Sequence, residues 1–273
     1  MTVSRLDVRK TYKLYVAGEF VRSESGRSYR AEGFNVPRAS RKDLRDAVRT
    51  ARGAFAGWSG RTAMNRGQIL YRVAEMLDAR RAQFVALLGG GRSAGREVDA
   101  AVETFVWYAG LTDKLAQIAG TVNPVAGPYF NFTVPEPTGV VGLVAPHEPA
   151  LAGIARRLAA ILCGGNTAVA LTSEVRPLAA LCLGEVLATS DLPGGVVNLL
   201  SGFRRELLPW LSAHMDVNAI DAAGCPAEEL AAVEEAAAGN VKRVVRPDGH
   251  EAPSPQHAAA FMELKTVWHP IGV

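Results

Sequence analysis

The three cysteines of the sequence are its candidate nucleophiles, since a thiolate attacks a carbonyl carbon far more readily than a protonated thiol does. Cys163 lies near the end of one predicted helix and Cys182 inside another, which predicts buried, unreactive thiols. Cys225 follows Gly224 where a further helix is predicted to begin, and a helix N-terminus can lower the pKa of a thiol. The odd number of cysteines, without CxxC spacing, predicts neither a disulfide framework nor a zinc site. We expect reduced thiols without a catalytic role, with Cys225 as the candidate for raised reactivity.

His147 and Glu148 are a second group that could do chemistry, because they stand side by side directly after a predicted strand. An imidazole and a carboxylate could act together as an acid–base pair. Neighbouring loop residues often point in different directions, so the favoured alternative is a solvated loop in which the two side chains act separately.

The turn at residues 224–229 (GCPAEE) opens a predicted helix and could face a phosphate. Pyrophosphates are bound by free backbone N–H groups and by the positive end of a helix dipole. Pro226, if it is the first helical residue, removes one donor. Glu228 and Glu229 would each stabilise the helix by about 0.3 to 1 kcal/mol, yet they would repel a phosphate. The turn is therefore typical of a helix that is stable without an anionic ligand.

The elements that must position these residues are short apolar runs that alternate with segments of helical length. Five runs are predicted strands: residues 139–145 (GVVGLVA), 167–171 (TAVAL), 196–200 (VVNLL), 217–221 (VNAID) and 241–245 (VKRVV). Strands that are apolar on both faces and separated by helices predict an α/β fold with a doubly wound parallel sheet.

The flanking segments are of different kinds. Residues 13–21 predict a β-hairpin, and Ser40 with Asp43 predicts a capping box before several N-terminal helices. The second of these helices is expected to extend to Phe84 and to end at the glycines of residues 89–91. Four prolines surround a possible strand within residues 121–137, whose alternation suits an antiparallel or edge position. Residues 246–256 predict a Pro-rich linker, and residues 261–268 (FMELKTVW) a final strand that must pair elsewhere.

Composition excludes several classes of protein. The chain has 273 residues, 48% of them hydrophobic and 21% charged, which predicts a globular core. The net charge of +3 comes from scattered basic residues, which argues against nucleic-acid binding. No run approaches the roughly 18 apolar residues of a membrane span, and the N-terminus lacks the apolar core of a signal peptide, so a cytoplasmic location is expected.

Residues 139–202 carry several landmarks in a fixed order. They are a strand that leads to Pro146, the turn Gly165-Asn166-Thr167, Glu174 after the second strand, and the run 192–196 (LPGGV) before the third. This order resembles the NAD-binding core of the aldehyde dehydrogenase superfamily. The resemblance also covers the N-terminal hairpin and helices and the final strand, which in the family extends the catalytic sheet of a neighbouring subunit.

The resemblance implies a Rossmann-like fold and a division of the chain. The implied parts are an N-terminal helical part (1–120), a β-hairpin oligomerisation arm (121–138), an NAD(P)-binding core (139–245), a linker in place of the catalytic domain (246–256) and a C-terminal oligomerisation strand (257–273). The family motifs that carry the nucleophilic cysteine and the general-base glutamate are not found in the sequence.

The resemblance also implies site residues. Cofactor contacts fall on Pro146, Glu174, Gly224 and Cys225. Leu171 stands where the family has a lysine, and Glu229 replaces the last glycine of the family's turn. Glu148 stands at the oxyanion asparagine, where losing one donor typically costs about 3 to 4 kcal/mol of transition-state stabilisation. NAD or NADP is the cofactor implied, these departures argue against its binding, and no metal is implied.

Two functions follow from this interpretation. The first is a non-catalytic structural or regulatory subunit, a pseudoenzyme that forms an oligomer with a full-length aldehyde dehydrogenase paralogue. In this it resembles the degenerate second unit of two-unit members of the superfamily. The alternative is an NAD(P)-binding component of a composite aldehyde oxidoreductase. Neither function involves nucleic acid or a membrane.

Overall fold

The computed structural model describes residues 8–246 and 252–272. In the first part of the chain the elements are β1 (Leu14–Val16), β2 (Glu19–Val21), β3 (Ser28–Ala31), β4 (Phe34–Pro37), α1 (Arg41–Ser59), α2 (Ala63–Ala79), α3 (Arg81–Leu87), α4 (Gly91–Leu111) and α5 (Leu115–Ala119). In the second part they are β5 (Thr121–Asn123), β6 (Tyr129–Pro137), β7 (Val140–Val144), α6 (Ala152–Cys163), β8 (Thr167–Leu171), α7 (Leu178–Leu187), β9 (Val197–Leu200), α8 (Arg204–Ala213), β10 (Ala219–Asp221), α9 (Ala227–Ala238), β11 (Arg243–Val245), α10 (Pro255–Ala259) and β12 (Met262–Pro270).

The central sheet has the strand order β11-β10-β7-β8-β9-β1-β2. The five strands predicted from apolar runs are β7 to β11, and all five are parallel to one another. The predicted N-terminal hairpin, β1 and β2, adds two antiparallel strands at the far edge. The predicted α/β fold with a doubly wound parallel sheet is confirmed.

The sheet is covered on both faces, because alternate side chains of its strands enter two separate cores. Val141 and Leu143 of β7 belong to the core formed with α2, α4, α6 and α7. Val140 and Val144 belong to the core formed with α1, α8 and α9. The central strands are buried along their whole length for this reason.

The N-terminal helices follow the sequence pattern with one difference. Ser40 accepts hydrogen bonds from the backbone of Lys42 and Asp43, and the Asp43 side chain accepts one from the backbone of Ser40, which confirms the capping box. The helix expected to extend to Phe84 is two helices, α2 and α3, that meet at Arg80. The periodicity of the apolar residues continues across that junction, so it could not reveal the break.

A second sheet of three strands has the order β12-β6-β5, and we call it the arm sheet. β12 pairs with β6 over nine residues, from Met262 opposite Pro137 to Pro270 opposite Tyr129. The prediction that the final strand must pair elsewhere is confirmed, since its partner β6 lies more than a hundred residues earlier in the chain. Part of the predicted linker lies outside the described residues, and α10 occupies residues on either side of its predicted end.

None of the helices in residues 8–246 and 252–272 combines the length and the apolarity that crossing a membrane requires.

Candidate functional site

The candidate site lies at the carboxyl ends of the parallel strands. β7 stands between β8 and β10, so the chain runs from β7 outward on one side and then crosses to the other. In such sheets, ligands bind in the crevice outside the strand ends at this switch point. Here the crevice is a cleft of about 410 Å³, which we call the switch-point cleft. It is lined by His147, Glu174, Phe203, Arg204, Arg205, Pro226 and Glu229.

Arg204 occupies the inner end of this cleft. It is the first residue of α8, and its side chain is buried. Its guanidinium donates a hydrogen bond of 2.6 Å from Nη2 to the carbonyl oxygen of Ala145, directly after β7. Burial lowers the pKa of Arg204, while the carboxylates of Glu174 and Glu229 act in the opposite direction. Nothing in the sequence marks Arg204 as a site residue, because a basic residue at a helix start is typical of an exposed position.

Glu174, predicted as a cofactor contact, lies in the cleft and binds the chain itself. Its Oε2 accepts a hydrogen bond of 2.9 Å from the backbone N–H of Arg204, so it caps the N-terminus of α8. Leu171, at the end of β8, is buried in the core. The position at which the resemblance implies a lysine is thus an apolar one that faces away from solvent.

His147 and Glu148 have different partners. His147 Nδ1 lies 2.9 Å from the Ser173 hydroxyl and 3.4 Å from Nη2 of Arg204. Burial and then the Arg204 charge lower the pKa of His147. Glu148 is exposed and forms an ion pair of 2.5 Å with Arg176. The geometry therefore gives the two side chains separate surroundings and no shared proton.

The loops after β7 and β10 touch through their backbones. The N–H of Gly224 donates to the carbonyl oxygen of Val144 at 2.8 Å, and a Cβ at Gly224 would lie 2.2 Å from the carbonyl oxygen of Ala145. Glycine is needed here because main-chain atoms cannot move aside. Pro146, predicted as a cofactor contact, is half-buried at the same junction.

The turn that opens α9 differs in one detail from the sequence expectation. Pro226 is the N-cap residue rather than the first helical residue, and the helix begins at Ala227. Glu228 and Glu229 are in the first turn, as expected. The Glu229 carboxylate has one buried oxygen, Oε2, without a hydrogen-bond partner among the described residues.

The thiols have raised pKa values. Burial raises the pKa of Cys163 to about 12, and burial also raises that of Cys182. Cys225 is half-buried, and burial followed by the charge of Glu229 raises its pKa. The suggestion that the start of a helix could lower the pKa of Cys225 is wrong, because burial and the carboxylate of Glu229 raise it.

The cleft is a poor match for the pyrophosphate of a dinucleotide. The N–H groups of Gly224 and Cys225 already donate to carbonyl oxygens of the chain, and Pro226 has no N–H. Two carboxylates in the first turn of α9 would repel the phosphates. For metals, the described residues bring together no cluster of three or more His, Cys, Asp or Glu side chains suited to hold an ion.

Comparison with known proteins identifies the family. The model of the "Aldehyde dehydrogenase family" matches residues 28–252. The chain belongs to the aldehyde dehydrogenase family. It is 31% identical over 265 residues to human retinal dehydrogenase 2, covering 91% of this chain and 50% of that protein. It is 29% identical over 282 residues to aldehyde dehydrogenase 1A1 of Gallus gallus, covering 97% of this chain and 54% of that protein.

Solved structures agree with this family assignment. A structure titled as the NAD+ complex of aldehyde dehydrogenase from Bacillus cereus matches with a TM-score of 0.80 and 26% identity, covering 87% of this chain and 50% of that one. The predicted family and the Rossmann-like fold are thereby confirmed. The chain spans about half the length of the aldehyde dehydrogenases that it matches.

Proposed function

We propose that this chain is a non-catalytic subunit that assembles with a full-length aldehyde dehydrogenase through the arm sheet. The single observation that carries the proposal is the character of that sheet, whose two faces differ. Cross-strand neighbours and alternate residues share a face, so the register assigns each side chain to one side.

One face of the arm sheet carries a polar ladder beside exposed apolar side chains. Asn123 Nδ2 donates to Asn131 Oδ1 at 2.6 Å and to Thr133 Oγ1 at 2.9 Å. The Thr133 and Thr266 hydroxyls lie 3.0 Å apart. These hydrogen bonds across all three strands fix the register, while Leu264 and Trp268 on the same face are 62% and 58% exposed.

The other face is open and carries an apolar cluster beside the ion pair of Lys265 and Glu136. Val122, Phe130, Val134 and Val267 are 64%, 45%, 38% and 41% exposed, and Phe132 lies between them. Large contiguous apolar patches are rare on monomeric proteins and mark protein contacts. The outer edge of β12 also has no strand beside it in the described part of the chain, so it can pair with a strand of another subunit.

The chemistry of the thiols supports the non-catalytic part of the proposal. A cysteine nucleophile needs a depressed pKa, and all three thiols have raised ones. The thiol nearest the cleft, Cys225, lies beside Glu229, which further disfavours the thiolate. The predicted cytoplasmic location remains a prediction.

Co-expression tests the assembly. The tagged chain is produced together with a full-length aldehyde dehydrogenase of the same organism, and the purified material is analysed by size-exclusion chromatography with light scattering. We expect a mixed complex. The double variant Val134→Asp with Val267→Asp should lose the partner, whereas Met215→Asp, which changes an exposed apolar residue outside the arm sheet, should retain it. A wild-type chain that never co-purifies with the enzyme would refute the proposal.

The alternative, an NAD(P)-binding component of a composite oxidoreductase, has one observation in its favour. An apolar groove of about 220 Å³ lies between α8 and α9 beside the cleft, lined in part by Leu208, Pro209, Ala232 and Val233. A flat ring could lie in such a groove. Calorimetric titration with NAD and NADP decides: micromolar binding would favour this alternative, and no heat at millimolar cofactor would leave the first proposal.

A further inference from the structure

We infer that Arg204 is a resident cation of the switch-point cleft, a side chain that lines and neutralises the place where the family fold offers room for a dinucleotide. The chain would then fold and persist independent of any cofactor. The inference concerns one side chain and does not depend on the assembly proposed above.

The position of Arg204 is the first step. Its backbone N–H is held by Glu174, and its Nη2 is held by the carbonyl oxygen of Ala145. These contacts tie the start of α8 to the ends of β8 and β7, which border the switch point. The side chain is only 6% exposed, while the neighbouring Arg205, which lines the same cleft, is exposed.

Charge balance is the second step. Glu174 and Glu229 both act on Arg204 electrostatically. These attractions favour the charged form of the guanidinium in its buried position, and they are lost when the arginine is removed.

The third step is what a dinucleotide would have to do. Phosphate oxygens at this place would either displace Arg204 from the Ala145 carbonyl or bind it while lying against Glu174 and Glu229. The first course breaks a buried hydrogen bond, and the second brings like charges together. The backbone contact between Gly224 and Val144 also leaves no gap between the loops after β7 and β10.

Thermal unfolding of purified variants tests the inference. Arg204→Ala should lower the midpoint by about 3 to 12 °C, since the buried Ala145 carbonyl loses a charged donor and Glu174 and Glu229 lose the attraction of the guanidinium. Arg204→Lys, which keeps the charge, should lower the midpoint by less. This variant keeps the inference testable if Arg204→Ala does not fold. Arg205→Ala is the matched control and should leave the midpoint unchanged. Glu229→Gln added to Arg204→Ala should recover part of the loss, because the stranded carboxylate is removed.

Ligand titration of the wild type supplies a readout that needs no variant. NAD, NADP and inorganic pyrophosphate at millimolar concentration should leave its midpoint unchanged and give no binding heat. Binding by the wild type that Arg204→Ala abolishes would overturn the inference and make Arg204 a phosphate ligand. Equal midpoints for Arg204→Ala and Arg205→Ala would also overturn it. Loss of the mixed complex, in contrast, would refute only the proposed assembly.

Discussion

Single buried polar residues hold the parts of this chain together, and Asn166 is the clearest case. Its side chain accepts a hydrogen bond of 2.8 Å from the N–H of Gly139 and donates to the carbonyl oxygens of Ile161 and Phe261 at 3.3 and 3.0 Å. One fully buried amide thus joins the start of β7, the end of α6 and the residue before β12. The central sheet and the arm sheet depend on it jointly.

We expect Asn166→Ala to lower the free energy of unfolding by about 2 to 4 kcal/mol, because the backbone groups that it satisfies would stay buried without partners. Urea denaturation followed by circular dichroism measures this loss. Asn35→Ala, in the exposed part of β4, is the control and should change stability by less than about 0.5 kcal/mol. Equal effects of the two substitutions would contradict the bridging role.

The three thiols should differ in reactivity according to their surroundings. Iodoacetamide at pH 7.5 should modify Cys225 first, since it is half-buried while the other two cysteines are buried. Its rate should still be lower than that of a free thiol, because the raised pKa reduces the thiolate fraction. Peptide mass spectrometry gives the order. Labelling of Cys163 in the folded protein at the rate of Cys225 would be the contrary result.

Lys242 should make stability depend on pH. Burial lowers its pKa to about 8, from an ordinary value of 10.5. From pH 8 upward the unfolded chain therefore keeps a proton that the folded chain has lost, so this residue's contribution to stability rises with pH. The pH range in which Lys242 acts without opposition ends near pH 9. Above it, the buried thiol of Cys163, with its pKa raised to about 12, makes stability fall as the pH rises.

Lys242→Met removes this titration. Between pH 7.5 and 9, the unfolding free energy of the wild type should rise relative to that of the variant, as measured by denaturant titration at each pH. Parallel curves for the two proteins over that range would show that Lys242 keeps an ordinary pKa.

At the residue scale, Glu174 and the turn at Gly224 were predicted through the resemblance to the aldehyde dehydrogenases, and Glu174, Pro226 and Glu229 line one cleft. Sequence reasoning missed Arg204, although that residue lies in the same cleft. Arg204 and Arg205 are identical side chains in adjacent positions, and only the packing of α8 against β7 decides which is buried. Local sequence carries no signal for that choice.

At the scale of elements, the junction between β7 and β10 depends on close backbone contact. Gly224→Ala should cost more than about 2 kcal/mol, since the new methyl group would meet main-chain atoms of Ala145 and Pro146 at 2.2 to 2.7 Å. Gly53→Ala, within α1 and with open space around it, should instead stabilise the protein by about 0.5 to 1 kcal/mol. Denaturation curves of both variants measure these changes in the free energy of unfolding. An unchanged stability of Gly224→Ala would mean that the loops after β7 and β10 can separate.

The elements were predictable where their signal is local. The parallel strands β7 to β11 are apolar runs that need no knowledge of their neighbours, and the hairpin of β1 and β2 needs only the Ala17-Gly18 turn, whose residues both have positive φ. The arm sheet was not predictable in this way. β12 and β6 are joined by pairing across more than a hundred residues, and neither strand's sequence specifies the other.

At the scale of the whole molecule, the open apolar face predicts self-association when no partner is present. Light scattering over a range of protein concentrations should show a growing oligomer fraction for the wild type, because burial of apolar surface drives association. Val134→Asp with Val267→Asp should remain monomeric with a nearly unchanged unfolding midpoint, since both side chains are already exposed in the monomer. A wild type that stays monomeric at all concentrations would argue against this face as an interface.

The pairing of β6 with β12 has a consequence for biosynthesis. β5 and β6 leave the ribosome before every strand of the parallel core, whereas β12 is made after all of them. During translation, one edge of β6 therefore stays unpaired until the core strands and β12 have been made. The arm sheet is complete only once β12 has paired with β6, so chains in which β12 is not yet made expose a strand edge and are at risk of aggregation.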